Sequence, residues 1–148
     1  MIDIIIPVYN TPKSDLERCL SSVLKQTYKN YKVYIIDDGS HDEVKNYLDD
    51  YVNDKDNFYV KHILNSGVSN ARNVGIDISS SQYLTFLDAD DTLVESFLED
   101  AYNLIEKNNL DLVIGGYNEI KNDKVYKVRK CEPDFYIYSK DNLELFID

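Results

Sequence analysis

The sequence predicts an α/β domain, built as a mostly parallel sheet with helices on both faces. Short apolar runs of strand length alternate with segments whose apolar residues repeat at helical spacing. Strand and helix alternate four times, a pattern that favours parallel strands joined by right-handed crossovers. No linker-like or repetitive segment interrupts residues 1 to 117. The chain has 148 residues, 43% of them hydrophobic, which is enough for one domain with a substantial core.

Five apolar runs are predicted strands. They are Ile4–Tyr9, Val33–Asp37, Phe58–His62, Tyr83–Leu87 and Leu112–Tyr117. Several of them are continuously apolar, which is typical of strands buried on both faces. If the strand order is 3-2-1-4, the carboxyl ends of strands two, one and four are neighbours. Further along the chain, Val125–Val128 and Phe135–Tyr138 are candidate strands. Asn142–Ile147 resembles the start of a helix that the chain does not complete.

Four helices are predicted between and after the strands, because apolar residues there fall three or four positions apart. Their apolar stripes are Leu16, Leu20, Val23 and Leu24; Val44, Tyr47, Leu48 and Tyr51; Val68, Ala71, Val74 and Ile78; and Phe97, Leu98, Ala101, Leu104 and Ile105. Three helix starts also show the spacing of a capping box, in which a hydroxyl and a carboxylate satisfy free backbone N–H groups. These pairs are Ser14 with Glu17, Ser40 with Glu43, and Thr92 with Glu95.

Composition excludes several classes of function. A formal net charge of −11 argues against a nucleic-acid-binding surface, and no apolar run is long enough for a membrane span. The N-terminus reads as a first core strand and not as a signal peptide, so we expect a cytoplasmic protein, with peripheral attachment to the inner face of the membrane as the alternative. Cys19 and Cys131 fit neither a disulfide framework nor a zinc site. We expect His62 to be structural and His41 to be exposed.

The most informative segment is Tyr83–Thr92, an apolar strand that ends in three carboxylates. Asp88 and Asp90 are two positions apart, so on extended backbone they would project to the same side. Like charges at that separation repel, and a cation is expected to compensate them. Together with Asp91 they offer the hard oxygen ligands that magnesium or manganese prefers.

Polar clusters follow three of the predicted strands: residues 7–10, 37–40 and 88–91. In an open parallel sheet, ligands bind beyond the carboxyl ends of the strands, so these clusters would share one crevice. Tyr9 offers a face on which a base can stack, and Asp38 offers a hydrogen-bond acceptor. No glycine-rich phosphate loop is present, so phosphates would be neutralised through the metal and Arg72. The crevice suits a nucleoside diphosphate.

Five blocks of sequence, in this order, resemble glycosyltransferase family 2. They are IIIPVYN at 4–10, CLSSVLKQTY at 19–28, IDDGS at 36–40, NSGVSNARNVGI at 65–76 and FLDADD at 86–91. The ordered set spans about residues 3 to 120. The resemblance implies a GT-A fold, a nucleotide-sugar donor, a divalent cation and an inverting transfer of a hexose to an acceptor hydroxyl.

The resemblance also implies roles for individual residues. Those expected to bind the nucleotide are Pro7, Val8, Tyr9, Asp38, Arg72 and Asp88. Tyr9 and Asp38 would contact the base, above a floor shaped by Pro7 and Val8, and Arg72 would approach the base or the diphosphate. Asp90 would be the direct metal ligand of a DxD motif, with Asp88 contacting the ribose or a metal-bound water and Asp91 in support. The cation would be Mn²⁺ or Mg²⁺.

The family's acceptor side is expected to be incomplete in this chain. Residues 1–120 would form the nucleotide-sugar-binding core, and residues 121–148 the start of the acceptor-side region. We expect the general base beyond residue 148, so this chain would bind donor and metal but transfer sugar weakly or not at all. A UDP-sugar is the favoured donor. The acceptor would be a saccharide or a lipid-linked saccharide, in polysaccharide or glycoconjugate synthesis.

Two alternatives stay open at this point. Residues 88–92 also fit the DxDx[T/V] motif of haloacid-dehalogenase-like phosphatases, in which Asp88 would be the nucleophile and Asp90 the acid/base. That motif normally follows the first strand, whereas three strand-helix units precede it here. The second alternative is a non-catalytic nucleotide-binding fragment.

Overall fold

A computed structural model of the chain describes residues 1–121 and 124–129. Its element order is β1 (Ile2–Val8), α1 (Lys13–Leu24), β2 (Tyr31–Asp37), α2 (Asp42–Val52), β3 (Phe58–His62), α3 (Val68–Ile78), β4 (Tyr83–Phe86), α4 (Phe97–Asn108), β5 (Tyr117–Lys121) and β6 (Lys124–Arg129). The chain divides into two compact units, Met1–Glu99 and Asp100–Asp148.

The first unit contains a four-stranded sheet of order β3-β2-β1-β4, in which every pair is parallel. This confirms the predicted fold class and strand order. The central strand β1 is buried along its whole length, since β2 and β4 flank it and both its faces are covered. One face packs on α3 through a cluster of Ile5, Tyr34, Ile36 and Ala71. Ile4 and Ile6 alternate to the other face and are fully buried as well.

Helix α3 lies unusually close to the sheet at Gly75. A methyl group at this position would lie 2.3 Å from Cγ2 of Ile5, well inside van der Waals contact. Glycine therefore sets the distance between α3 and β1, and with it the place of the residues that α3 carries toward the carboxyl edge of the sheet.

The second unit is described from Asp100 to Lys121 and from Lys124 to Arg129. It contains most of α4 and an antiparallel hairpin of β5 and β6 with an irregularity between Glu119 and Ile120. The candidate strand Val125–Val128 is confirmed within β6. Within the described residues, no helix is long and apolar enough to cross a membrane.

The structure corrects one predicted strand. Residues 112–116 have no regular secondary structure, and β5 begins only at Tyr117. Leu112 and Ile114 are each 59% exposed, so this apolar run lacks the burial that makes such a segment a core strand. The candidate strand Phe135–Tyr138 and the candidate helix start Asn142–Ile147 lie outside the described residues.

The predicted capping boxes are also wrong. Helix α1 begins at Lys13 after Pro12, which places Ser14 inside its first turn, and α2 begins at Asp42 after His41. Neither helix has a side-chain cap. The Ser40 hydroxyl is used elsewhere, since it accepts a hydrogen bond from the backbone N–H of Asn10 at 2.9 Å. Thr92 lies in an irregular segment ahead of α4.

The close approach at Gly75 generates a stability prediction. Gly75→Ala should lower the free energy of unfolding, because overpacking against Ile5 costs about 1–3 kcal/mol. This exceeds the gain of up to about 1 kcal/mol that alanine brings to a helix. Urea denaturation measures the change, and Asn73→Ala on the exposed side of α3 is the control. A Gly75→Ala protein as stable as the control would contradict the packing described here.

Candidate functional site

The carboxyl ends of β1 and β4 and the start of α3 enclose a cavity of about 460 Å³. Its lining combines an aromatic ring, an arginine and three carboxylates with small apolar groups. The lining residues are Pro7, Tyr9, Asn10, Thr11, Pro12, Asp15, Val68, Arg72, Asp88, Ala89 and Asp90. Five of the residues predicted to bind nucleotide or metal are therefore brought together: Pro7, Tyr9, Arg72, Asp88 and Asp90.

The acidic run forms a tight turn and not the extended strand end that was expected. Regular pairing of β4 stops at Phe86, and the N–H of Asp91 donates to the carbonyl of Asp88 at 3.0 Å. The turn, and not strand alternation, therefore sets where the carboxylates point. Asp88 and Asp90 line the cavity, whereas Asp91, although exposed, does not.

Two arginines balance part of the charge of this acidic turn, which we define as residues 88–91. Arg72 Nη2 donates to Asp88 Oδ1 at 2.6 Å, and Arg18 Nη2 donates to the Asp90 carbonyl at 3.3 Å. The carboxylates of Asp90 and Asp91 have no hydrogen bond or ion pair within the described part of the chain. Asp88 is therefore paired with Arg72, while the carboxylates of Asp90 and Asp91 stay available.

Burial and the negative charge of the acidic turn raise the pKa values of ionisable groups within and beside it. Partial desolvation, reinforced by the carboxylates of Asp90 and Asp88, raises the pKa of Asp91 above its ordinary value of 3.8. Burial, followed by the negative charges of Asp91, Asp90 and Asp88, raises the pKa of the Cys19 thiol to about 12. Cys19 is therefore an uncharged, unreactive thiol at neutral pH, as expected for a core cysteine. A cation at the turn would relieve the repulsion.

Arg72 reaches the cavity from the first turns of α3. Its guanidinium lies 5.8 Å from the centre of the Phe86 ring, and its Nε is buried with no hydrogen-bond partner in the described structure. A buried donor without a partner costs about 1–3 kcal/mol, so an acceptor is expected to reach it when the site is filled. This unpaired N–H makes Arg72 a candidate binding group, besides its ion pair with Asp88.

The loop after β1 is locked to the loop after β2 by Asn10. Asn10 has a positive φ of 50°, a left-handed conformation that asparagine tolerates better than most residues. Its backbone N–H donates to Ser40 Oγ, and its side-chain Oδ1 accepts from the N–H of His41 at 2.8 Å. The ring of Tyr9, next to it, is 56% exposed and free to offer its face to a ligand.

Asp38 does not face the cavity. It is 3% exposed, and its two carboxylate oxygens each accept a backbone N–H at 2.8 Å, one from Ser66 and one from Gly67. Gly67 has a φ of 91° directly before α3. Val8 is also buried and does not line the cavity, so it and Asp38 support the site from behind.

Asn10 and Ala89 also line the cavity, and they belong to the clusters 7–10 and 88–91 that were predicted to share one crevice, although no role was assigned to them. Four further lining residues were not predicted: Thr11, Pro12, Asp15 and Val68. Val68 lies inside the quoted block at 65–76, which could have suggested it, whereas no motif pointed to Asp15. It lines the cavity because α1 begins directly beneath the loop after β1, and its carboxylate pairs with Arg18 at 3.0 Å.

Comparison with known proteins agrees with this geometry. The family model described as glycosyl transferase family 2 matches residues 3–146. The chain belongs to glycosyltransferase family 2. Among curated family members, it is 32% identical over 139 residues to the glycosyltransferase GlyG of Streptococcus pneumoniae, covering 93% of this chain and 43% of GlyG. It is 43% identical over 122 residues to the poly(ribitol-phosphate) β-N-acetylglucosaminyltransferase TarP of Staphylococcus aureus, covering 78% of this chain and 36% of TarP.

A solved structure supports the fold assignment within the family. The structure of residues 1–349 of S. aureus TarS in complex with UDP-GlcNAc aligns with a TM-score of 0.75 and 25% identity, covering 85% of this chain and 37% of the TarS chain. The predicted GT-A fold is thereby confirmed. The chain spans less than half the length of each of these family members.

A second polar cluster lies beside the site and joins its loops to the sheet. Asp37 is fully buried, and its carboxylate accepts from the N–H of Ser40 and pairs with Nδ1 of His62 at 2.7 Å. Nε2 of His62 contacts Asp49 at 3.1 Å. Burial alone would raise the pKa of Asp37, but the bonds from Ser40 and His62 outweigh it and hold this pKa below its ordinary value. His62 is structural, as expected.

This cluster predicts how stability depends on pH. Desolvation lowers the pKa of His62, but its contacts with Asp37 and Asp49 outweigh that effect and raise it above the ordinary 6.5. The contribution of protonated His62 to folding stability is therefore fully present below pH 6.5. It is lost as the pH rises through the higher pKa that His62 has in the folded state. The ionised carboxylate of Asp37 contributes to folding stability at pH values above its ordinary pKa of 3.8. This contribution is lost only in stronger acid, as the pH falls through the lower pKa of the folded state.

We expect wild-type stability to fall as pH rises above 6.5, and His62→Gln to lose much of this dependence. Denaturant unfolding across pH 5 to 8 measures it. His41→Gln, which changes the exposed histidine, is the control and should keep the wild-type slope. Equal slopes in all three proteins would show that the Asp37–His62 pair is not coupled to folding.

Proposed function

We propose that this chain binds a nucleoside diphosphate sugar, with a UDP-sugar favoured, as the donor-binding part of an inverting glycosyltransferase. The observation that carries the proposal is the cavity in which Tyr9, Arg72, Asp88 and Asp90 converge at the carboxyl edge of a family 2 sheet. The similarity to TarS in complex with UDP-GlcNAc supports a uridine carrier. Residues 1–120 would be the donor core, and residues 121–148 would begin the acceptor side.

In this proposal the base lies against the exposed face of Tyr9, above Pro7. An aromatic face of this kind stacks on a flat heterocycle without needing a particular base. Val8 lies beneath it, and Asp38 contributes by holding the backbone of Ser66 and Gly67 in place. The original expectation that Asp38 itself contacts the base stays a prediction, since both of its oxygens already accept a backbone N–H.

Arg72 would bind the base or the diphosphate through its Nε–H, which is buried and has no hydrogen-bond partner in the described structure. Its ion pair with Asp88 orients it toward the cavity. When a diphosphate enters, the guanidinium can share its remaining donors with phosphate oxygens, because arginine presents five N–H groups in a planar fork.

The acidic turn fits a magnesium or manganese ion whose remaining ligands are phosphate oxygens and water. Among the described residues, no three His, Cys, Asp or Glu side chains come together as a metal-binding group. Magnesium bound with substrate phosphates needs only one or two carboxylates from the protein. Asp90 would be that ligand, Asp91 would add negative charge beside it, and Asp88 would reach the ribose or a metal-bound water.

The chemistry that follows from this arrangement concerns the leaving group. A bound divalent cation stabilises the charge that develops on the departing diphosphate, a contribution of several kcal/mol in metal enzymes generally. Tyr9 and Arg72 would fix the donor so that its anomeric carbon is open to an acceptor hydroxyl on the opposite face. The proposal assigns no residue of this chain as the base that removes the hydroxyl proton.

The acceptor is proposed at the level of class only. TarP is named for adding N-acetylglucosamine to poly(ribitol-phosphate), a polymeric acceptor. A saccharide or lipid-linked saccharide in polysaccharide or glycoconjugate synthesis is the corresponding proposal here. The cytoplasmic location inferred from the N-terminus stays a prediction.

Thermal unfolding with added ligands tests the donor site. UDP with Mn²⁺ should raise the melting temperature, because a ligand that binds only the folded state stabilises it, by about 2.7 kcal/mol at a hundred times its Kd. Asp90→Asn should remove most of the metal-dependent part of this shift. Asp50→Asn, on the exposed side of α2, is the matched control and should behave as wild type.

Stabilisation by UDP that is the same with Mn²⁺, Mg²⁺ or chelator, and the same in Asp90→Asn, would refute the metal assignment. No stabilisation by any nucleoside diphosphate or its sugars would refute the donor site. Robust sugar transfer by these 148 residues alone would refute the view that the chain holds only the donor part.

The phosphatase alternative is tested separately. A haloacid-dehalogenase-like enzyme would hydrolyse a chromogenic phosphate monoester with Mg²⁺, using Asp88 as nucleophile. We expect no hydrolysis, since Asp88 is paired with Arg72 and follows the fourth strand of a family 2 domain. Turnover that disappears in Asp88→Asn would reverse this conclusion.

A further inference from the structure

The acidic turn is held from behind by one face of α1. Four side chains of α1 and the turn after it bond to the backbone of the segment that follows β4. Arg18 Nη2 donates to the Asp90 carbonyl at 3.3 Å, and Cys19 Sγ donates to the Asp88 carbonyl at 3.6 Å. Further along, Ser22 Oγ accepts from the Leu93 N–H at 3.1 Å. Gln26 Nε2 donates to the Val94 carbonyl at 2.7 Å. Positions 18, 22 and 26 recur every four residues, as on one side of a helix. We call these four residues the α1 latch.

Gln26 is the buried centre of the α1 latch. It is completely inaccessible to solvent, and it does not line the cavity. Its amide donates to the carbonyls of Ser22 and Val94, and its Oε1 accepts from the N–H of Leu98 at 3.0 Å. Both donors and the acceptor of the amide are thus used, which is what burial of so polar a group requires.

The strand β4 does not reach far enough to fix the acidic turn by itself. The last backbone bond from this region to the sheet is the Leu87 N–H to the Ile5 carbonyl at 3.0 Å. Beyond it, the α1 latch bonds to the backbone of Asp88, Asp90, Leu93 and Val94. The other backbone bonds found there in the described structure are local, from the Asp91 N–H to the Asp88 carbonyl and from the Phe97 N–H to the Val94 carbonyl, each at 3.0 Å. The placement of Asp90 therefore depends on α1.

We propose that Gln26 is a positioning residue for the acidic turn, acting on Asp90 through Val94 and the start of α4. Gln26 does not line the cavity in which nucleotide and metal are proposed to bind. Its amide holds one end of the irregular segment against α1, and Cys19 and Arg18 hold the other end, so that the Asp90 carboxylate faces the cavity before any ligand arrives. This inference rests on the proposed function, because it takes Asp90 as the residue that meets the cation.

Three variants of the 148-residue chain test the role of Gln26. Gln26→Met keeps the size of the side chain and removes its hydrogen bonds, whereas Gln26→Glu keeps only the acceptor for Leu98. Ser22→Ala is a milder change on the same face, in case the Gln26 variants fold poorly. Val23→Ala is the matched control, since Val23 is fully buried in α1 but its side chain is not part of the latch.

The decisive readout compares two ligands. Uridine with chelator reports on the base-binding part of the site, and UDP with Mn²⁺ reports on the base and the metal together. We expect Gln26→Met to weaken Mn²⁺-dependent UDP binding about tenfold, the lower end of what residues supporting a metal ligand contribute. Uridine binding should stay at the wild-type value. Ser22→Ala should show a smaller change of the same kind, and Val23→Ala none beyond lost thermal stability.

Amide hydrogen exchange without metal supplies an independent readout. Exchange at Leu93 and Leu98 should speed up in Gln26→Met and stay slow in Val23→Ala, both measured well below the melting temperature. Equal loss of uridine and UDP binding in Gln26→Met, or unchanged Mn²⁺ dependence with unchanged exchange, would overturn the inference. If wild-type protein bound UDP without regard to metal, the proposed metal site would fail, and the exchange measurement would still decide whether Gln26 holds the segment.

Discussion

The burial of β1 is the constraint on which the rest of the structure depends. This strand is inaccessible along all its residues, paired in parallel with β2 on one side and with β4 on the other, and Gly75 lets α3 approach it closely. Parallel pairing brings the carboxyl ends of three strands to one edge. The loop after β1, the loop after β2 and the acidic turn therefore meet at this edge, independently of the local conformations that their own sequences favour.

Polar side chains then convert that edge into a site with a defined shape. Asn10 ties the first loop to the second, Asp38 ties the second to the start of α3, and the α1 latch ties the acidic turn to α1. Most of these bonds are made by a buried or half-buried side chain to a backbone atom of a different segment; Arg18, which is exposed, is the exception. Loops that would otherwise move independently are thereby held as one rigid edge, which is the preorganisation that a binding site needs.

The sequence was sufficient to predict the sheet, its strand order and the edge at which the cavity lies, because continuous apolar runs, helical stripes and motif blocks all carry local signals. The run Leu112–Tyr117 was wrongly predicted as a core strand for the same reason. Its apolar residues give the local signal of such a strand, and only the structure shows that Leu112 and Ile114 are exposed. The inward orientation of Asp38 and the use of Ser40 by Asn10 were not predictable, since they depend on which distant N–H group comes within reach. Gln26 likewise gained its role from contacts about seventy positions away.

The pairing of Arg72 with Asp88 has a thermodynamic consequence. The cavity holds both signs of charge, since its lining includes the guanidinium of Arg72 and the carboxylates of Asp15, Asp88 and Asp90. In the proposed function, a cation arriving alone would be repelled by Arg72, and a diphosphate arriving alone would be repelled by the carboxylate of Asp90. Each ligand removes the obstacle that the other meets, so each should tighten the binding of the other by the same factor. On the proposed function, a cavity of mixed charge of this kind would favour the ion pair of metal and diphosphate over either component.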